Sequence, residues 1–153
     1  MFSEKETIYL KSQKLARIAT VSKGLQPDVA PVGFEFDGTA FYIGGLNNSS
    51  TMKYKNIAQG NTKVALVIDD LASVDPWQPR FVKVHGTAEI VSRVRQLSEG
   101  EYIRITPTVT WSFGIEAPPL TDGKPIIKKT SWKSGTSKEI RMTPAEKSRE
   151  PMN

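Results

Sequence analysis

The residues with the clearest chemical potential lie between Gly44 and Lys55, where a predicted strand passes through a Gly/Asn/Ser loop into a predicted helix. The first N–H groups of a helix lack partners and attract anions. Lys53 and Lys55 fall in the first turn, where cations are disfavoured unless an anion is bound. Together with the hydroxyls of Ser50 and Thr51, they predict a phosphate site. The alternative is that Ser50 caps the helix and the lysines are solvated.

Two aromatic segments are expected to lie at an interface. Trp77 stands between two prolines in a predicted twelve-residue connection, Asp69–Arg80, and rigid Trp and Arg side chains are typical interface anchors. The alternative is a loop that folds back as a lid on the same chain. In Thr106–Gly114, Pro107 cannot donate to a ladder, so the strand must bend or lie at an edge. The face beyond it, which a second subunit is expected to cover, consists of Val109, Trp111 and Phe113.

Composition excludes several classes of enzyme. The 153 residues are 38% hydrophobic, which predicts one domain, and no cysteine is available for a disulfide or a thiolate. The single histidine, His85, falls on the outward face of a predicted strand and favours a surface or interface role, so no metal site is expected. The motifs of nucleotide-binding loops, serine hydrolases and zinc proteases are absent. An enzyme with this sequence would take its chemistry from a cofactor.

Charge and hydropathy indicate the setting of the protein. No apolar run approaches the ~18 residues of a membrane span, and no signal-peptide pattern is present, so a cytoplasmic protein without a membrane partner is expected. Residues 1–123 hold 13 basic and 13 acidic side chains, whereas residues 124–153 hold eight and three. We therefore expect residues 126–153 to form a basic, mostly flexible extension. A basic-tailed nucleic-acid-binding protein is the alternative. It would need stacking aromatics on a basic sheet face, whereas the outward positions here mix Lys83 with Glu35 and Glu89.

Periodicity predicts a mainly β fold. The capping box formed by Ser3 and Glu6 predicts a helix over Glu4–Ser12. A second helix is predicted from Ser50 to Gln59, closed by Gly60, and a short polar helix near Val91–Gly100. Asp37-Gly38 predicts a hairpin. The predicted strands cover residues 15–21, 28–36, 41–43, 62–69, 80–90 and 102–113. Six antiparallel strands with two or three short helices indicate a small barrel, with an open sheet as the alternative.

Five segments in this order carry a family resemblance: Val29–Phe34, Gly44-Gly45 leading into Thr51–Tyr54, Val64–Asp70, Gly86–Glu89 and Tyr102–Thr108. Their succession resembles the pyridoxamine-phosphate-oxidase-like split-barrel flavoproteins. More narrowly, it is similar to the branch thought to use the deazaflavin F420, which includes reductases of tetracycline biosynthesis. The resemblance covers roughly residues 4–117 and implies a homodimer of split barrels with a cofactor at each end of the interface. Together with the strand pattern, it leads us to expect a six-stranded antiparallel split β-barrel over residues 1–125.

The resemblance also implies where the cofactor lies. The ring is expected against Pro31, Val32, Gly33, Ile43 and Gly44. The phosphate is expected at Ser50, Thr51, Lys53 and Lys55. The partner chain is expected to close the site with Trp77, Arg80 and Trp111. Met52 stands where a basic residue is common in the family, which removes one charge from the phosphate site.

The implied function is that of an oxidoreductase which transfers a hydride between bound F420 and a small organic substrate. An FMN-binding oxidoreductase or a flavin-storage protein is the alternative. The sequence names neither the substrate nor a catalytic residue, although Tyr42 and Tyr54 are candidate proton donors.

Overall fold

A computed structural model describes residues 1–45, 47–95, 98–133 and 136–144. Two α-helices and ten strands follow one another along the chain, with a short 3₁₀ turn at Asn48–Ser50 before α2. The elements are α1 Glu4–Ser12, β1 Leu15–Val21, β2 Pro27–Gly33, β3 Glu35–Phe36, β4 Phe41–Ile43, α2 Met52–Ala58, β5 Lys63–Ser73, β6 Gln78–Arg95, β7 Ser98–Phe113, β8 Leu120–Thr121, β9 Lys124–Lys133 and β10 Thr136–Pro144.

The strands form one antiparallel sheet that curls into a half-barrel, in the order β10-β9-β7-β6-β5-β1-β2. The mainly β, antiparallel prediction is confirmed, although the sheet has ten strands where six were expected. The predicted strand over residues 28–36 is divided at Phe34 into β2 and β3. In the described part of the chain, no helix is long and apolar enough to cross a membrane.

Pro107 lies where β7 changes partners. The first part of β7, Ile103–Ile105, pairs with β4, and the later part, Val109–Phe113, pairs with β9. On the other side of β7, Pro107 is opposite Gly86, where the register with β6 shifts. A residue without an N–H is tolerated at such a bulge. The bend predicted at Pro107 is therefore confirmed.

Alternating strand residues form a single core inside the half-barrel. Its fully buried large side chains are Ile18, Phe41, Ile43, Leu66, Ile68, Val82, Val84, Ile103 and Ile105. α1 begins with the predicted capping box, in which the Ser3 hydroxyl accepts from the Glu6 N–H while the Glu6 carboxylate accepts from the Ser3 N–H. Phe2, just before it, is buried against Phe36, Phe41 and Trp132. The N-terminal segment thus packs onto the core.

The polar helix expected near Val91–Gly100 is absent, and the prediction is wrong. β6 and β7 continue there as a hairpin in which Val91 pairs with Tyr102 and Arg93 with Gly100. Arg93 also donates to Glu35 at 2.9 Å and stacks over the ring of Tyr42. The polar residues that suggested a helix are held in strand conformation by pairing within this hairpin, and Arg93 adds a contact to β3.

The twelve-residue connection expected at Asp69–Arg80 is also shorter than predicted. β5 and β6 extend through most of it, with Asp70 paired to Arg80, and only residues 74–77 connect the two strands. The side chains of Asp70 and Arg80 add an ion pair across the same rung. This cross-strand pair stabilises strand pairing in a segment whose composition suggested a loop.

Two strands, β9 and β10, lie within the region where a mostly flexible extension was expected from residue 126. β9 pairs with β7, and β10 pairs with β9. Lys128 is 5% exposed, and its ammonium donates to Glu6 at 2.8 Å and to Glu116 at 3.3 Å. The basic composition suggested solvation, but one of the lysines is neutralised inside the fold. Residues 145–153 of the predicted extension lie outside the described part.

Candidate cofactor site

The loop that follows β4 enters α2 through a defined cap. The Thr51 hydroxyl accepts from the Tyr54 N–H at 3.4 Å and donates to the Asn48 carbonyl at 2.7 Å. We predicted a helix from Ser50 to Gln59, and the observed helix is shorter, Met52–Ala58, with Thr51 as its N-cap. Gly60, at φ +107°, follows its end as predicted. A helix of seven residues has little dipole, so any anion affinity here depends on side chains.

The predicted hydroxyl donors are already engaged. Ser50 donates to the Asn47 carbonyl at 2.7 Å, just as Thr51 donates to Asn48. The lysines differ, because neither Lys53 nor Lys55 forms an ion pair with a described residue. Lys53 is half-buried, and burial lowers its pKa, with the carboxylate of Asp28 acting in the opposite direction. A partly desolvated, unpaired ammonium is a suitable partner for a phosphate.

Asn48 is a buried residue of this loop that sequence reasoning missed. It is 6% exposed, and its amide nitrogen donates to the carbonyls of Ile43 and Glu101 at 3.4 and 3.2 Å. These bonds tie the loop to β4 and β7. Its amide oxygen is buried and accepts no hydrogen bond from a residue that the structure describes. Such an acceptor suits a hydroxyl or N–H group of a ligand, or a water molecule. An asparagine in a Gly/Asn/Ser loop carries no sequence signal of this burial.

The predicted ring-binding residues divide between the two sides of the sheet. Pro31 and Gly33 are exposed on the outside of β2, whereas Val32 and Ile43 are buried in the core. Gly44 lies directly against the ring of Tyr102, because a Cβ at this position would overlap that ring. A glycine is thus required for this close approach. The backbone at Gly44 and the exposed surface of β2 remain available to a planar group.

The residues expected to act across a subunit boundary have different surroundings. Trp77 is 66% exposed at the end of the β5–β6 hairpin. Arg80 instead binds Asp70 of its own chain through two nitrogens, one of them at 2.9 Å, and lies over the ring of Tyr9. The hydrogen bond from Arg80 holds the pKa of Asp70 below its ordinary value. Arg80 therefore brings little uncompensated charge to a ligand.

Trp111 belongs to a continuous surface on the outside of the sheet, here called the outer face. Its ring contacts the ring of His85 at 4.7 Å between centroids and the ammonium of Lys83 at 4.3 Å. One row of residues in register crosses six strands: Pro31, Arg17, Val67, Lys83, Trp111 and Lys129. The neighbouring row consists of Val29, Ala19, Ala65, His85, Val109 and Ser131. The structure therefore places Pro31 and Trp111 on one face, which mixes apolar side chains with the cations of Arg17, Lys83 and Lys129.

Both candidate proton donors are hydrogen-bonded to carboxylates. The Tyr42 hydroxyl donates to Asp37 at 3.1 Å. The Tyr54 hydroxyl donates to Glu101, and this hydrogen bond raises the pKa of Tyr54. Because each tyrosine already donates to a carboxylate, neither is set apart from the other as a proton donor.

The fold belongs to a known class. The family model described as pyridoxamine 5'-phosphate oxidase matches residues 3–131, and the chain belongs to this family. The predicted resemblance is therefore confirmed. Membership supports the coarse expectation of an oxidoreductase with a flavin-type cofactor.

Individual relatives are consistent with this assignment. The 5a,11a-dehydrotetracycline/5a,11a-dehydrooxytetracycline reductase of Streptomyces rimosus is 38% identical over 122 residues, which cover 75% of this chain and 84% of that protein. An F420 reductase structure matches with a TM-score of 0.56 and 21% identity, covering 72% of this chain and 98% of that one. A FAD-binding protein from Mesorhizobium loti matches with a TM-score of 0.56 and 17% identity, and the match covers 72% of this chain and 91% of that one. At these identities, the two structural matches establish the fold.

Proposed function

We propose that the protein is an F420-dependent reductase that transfers a hydride between the deazaflavin and a small organic substrate. The observation that carries this proposal is the 38% identity, over three quarters of the chain, to a protein named as a reductase. The F420 reductase among the structures of the same fold supports the choice of cofactor.

The chain offers binding groups for such a cofactor, which would supply the hydride when bound. Lys53 and Lys55 would hold the phosphate as point charges. The orphaned amide oxygen of Asn48 would accept from a hydroxyl group of the cofactor. The exposed surface of Pro31 and Gly33, with the backbone at Gly44, would position the ring and exclude water from one side of it.

We further propose that the protein is a homodimer whose outer faces meet. The apolar residues Val67, Val109 and Trp111 of the outer face support this proposal, as does Trp77, which is 66% exposed at the end of the β5–β6 hairpin. Exposed apolar patches rimmed by charges are typical of subunit interfaces. In this arrangement the partner subunit closes the cofactor site on the side opposite the ring-binding strand.

FMN remains the alternative cofactor, with an oxidoreductase or a flavin-storage protein as the corresponding function. FMN needs only the cations of the phosphate site, whereas the lactyl-glutamyl tail of F420 calls for additional cationic side chains. Arg80 was expected to be one of these cations, but its charge is neutralised by the ion pair with Asp70. The remaining candidates are Lys83 and Lys129, which flank Trp111 on the outer face.

The variant Lys53→Ala tests the proposed phosphate site. Loss of a hydrogen bond to a charged group costs about 1.5–3 kcal/mol. F420 binding, followed by fluorescence titration, should therefore weaken about 10- to 150-fold. Lys23→Ala, an exposed lysine in the β1–β2 turn, is the matched control and should bind as the wild type does. An unchanged dissociation constant in Lys53→Ala would mean that this helix start does not bind the cofactor.

A further inference from the structure

A second concave region lies beside the proposed cofactor site. This groove, of about 440 Å³, lies between the end of α1, the β3–β4 hairpin and β6. Its size falls within the range of small-molecule sites in proteins. The charged and aromatic residues that line it include Lys11, Lys14, Phe34, Glu35, Tyr42 and Arg93.

Aromatic surface forms one part of the groove. Phe34 is half-buried and its ring lies 6.0 Å from that of Phe41, so part of the ring remains accessible. The ring of Tyr42 is covered on one side by the guanidinium of Arg93, whose central carbon lies 3.9 Å from the ring centroid. Stacked planar groups and an accessible phenyl ring are suited to contact with a flat, apolar body.

The charges around the groove leave an excess of positive charge. Arg93 is paired with Glu35 at 2.9 Å. The carboxylate of Asp37 accepts from the N–H groups of Thr39 and Ala40, and from the Tyr42 hydroxyl. These interactions satisfy the acidic side chains within the chain itself.

Lys11 and Lys14 are the cations left over. Both are exposed, both line the groove, and neither forms an ion pair or hydrogen bond with a described residue. Lys11 lies in the last turn of α1, where a cation interacts favourably with the helix end. Lys14 lies beyond the end of α1, so an interaction with the helix end does not account for its charge. Two unpaired ammonium groups beside aromatic surface favour a ligand with both an acidic group and a planar ring.

We propose that this groove binds a planar aromatic anion, with its carboxylate or enolate at Lys11 and Lys14 and its rings against Phe34 and Tyr42. Phe34 directly follows Gly33, and Tyr42 directly precedes Ile43, so the groove borders the strands on which the cofactor ring is proposed to lie. The inference that the organic substrate occupies this groove rests on the proposed function. The inference that the groove binds an aromatic anion is independent of the proposed function.

The test uses 2-naphthoate as the probe and uncharged 2-naphthamide as its match, with the purified full chain and no cofactor. Amide shifts in ¹H–¹⁵N spectra should concentrate at residues 10–14, 34–37 and 42. The double variant Lys11→Gln/Lys14→Gln should weaken naphthoate binding at least about 5-fold, equivalent to two exposed charge interactions. Naphthamide binding and the control Lys23→Gln/Lys124→Gln should be unchanged.

Absence of naphthoate binding, or shifts that concentrate on the outer face, would overturn the proposal. So would an equal loss for the two probes in the double variant, because the lysines would then act on the fold and not on the anion. The Lys53→Ala variant separates the two proposals. It should lose affinity for F420 and retain affinity for naphthoate, so failure of the cofactor assignment leaves the naphthoate result interpretable.

Discussion

Lys128 provides a direct test of the way β9 is held in the fold. Its ammonium is buried and donates to the carboxylates of Glu6, at the start of α1, and Glu116, between β7 and β8. Glu6 is 2% exposed and keeps one other hydrogen bond, from the N–H of Ser3. Lys128→Met retains the length of the side chain and removes its charge.

The expected cost follows from the burial of both partners. Removing one member of a buried ion pair leaves the other charge without compensation, which costs about 3–5 kcal/mol. The exposed Lys124, also in β9, is the matched control, and Lys124→Met should cost less than about 0.5 kcal/mol. Adding Glu6→Gln to Lys128→Met removes the stranded charge and should recover most of the loss, since a buried pair replaced by neutral groups is often near neutral.

Urea denaturation followed by circular dichroism measures these differences, with the slope of the transition as a check on two-state behaviour. Lys128→Met should shift the midpoint strongly at constant slope. If Lys128→Met were no more destabilising than Lys124→Met, Lys128 would be solvated, and the reasoning that places β9 in the fold through this cluster would be refuted.

Further predictions concern assembly and pH. Trp77→Ala should loosen the proposed dimer and weaken cofactor binding together while the monomer stays folded, because both would use the same interface; sedimentation with and without cofactor checks this, and a wild-type monomer that binds cofactor normally would contradict it. The pKa of Asp70 is lowered by the hydrogen bond from Arg80, and the pKa of Glu116 is also lowered. The contribution of these two carboxylates to the free energy of unfolding should therefore be complete above about pH 5 and should be lost as pH falls through their pKa values in the folded state. For Glu116, burial opposes this shift, but the hydrogen bond from Ser3 and the ammonium of Lys128 outweigh it. Asp70→Asn should therefore differ most from the wild type near neutral pH and converge on it in acid, as measured by urea denaturation; a constant difference would show that the carboxylate charge plays no part.

Features set by local spacing could be predicted from the sequence. The capping box of Ser3 and Glu6 lies within one helical turn, and both of its hydrogen bonds are present. The Asp37-Gly38 turn is equally local, since the Asp37 carboxylate accepts from the N–H groups of Thr39 and Ala40. Pro107 marks a bend because its missing N–H acts wherever the residue stands.

Features set by distant partners could not be predicted. Lys128 and Glu6 are 122 residues apart in sequence, and composition alone assigned Lys128 to solvent. The hairpin at Val91–Gly100 pairs residues close in sequence, but its Arg93 is held by Glu35 on a distant strand, which the sequence does not reveal. Asn48 depends on the carbonyl of Glu101, which the sequence does not place beside it. The phosphate site was predicted from the residues at the start of α2 and the ring-binding residues from the family resemblance, and the roles of both sets stay predictions.

The most direct test of the central claim is a comparison of cofactors on the purified wild-type chain. F420 and FMN are titrated separately, and binding is followed by the fluorescence of each cofactor. We predict that both cofactors bind saturably at the site containing Lys53 and that F420 binds more tightly than FMN. A clear preference for FMN would contradict the F420 assignment, and absence of binding by either would contradict the proposal that this chain is a cofactor-dependent reductase.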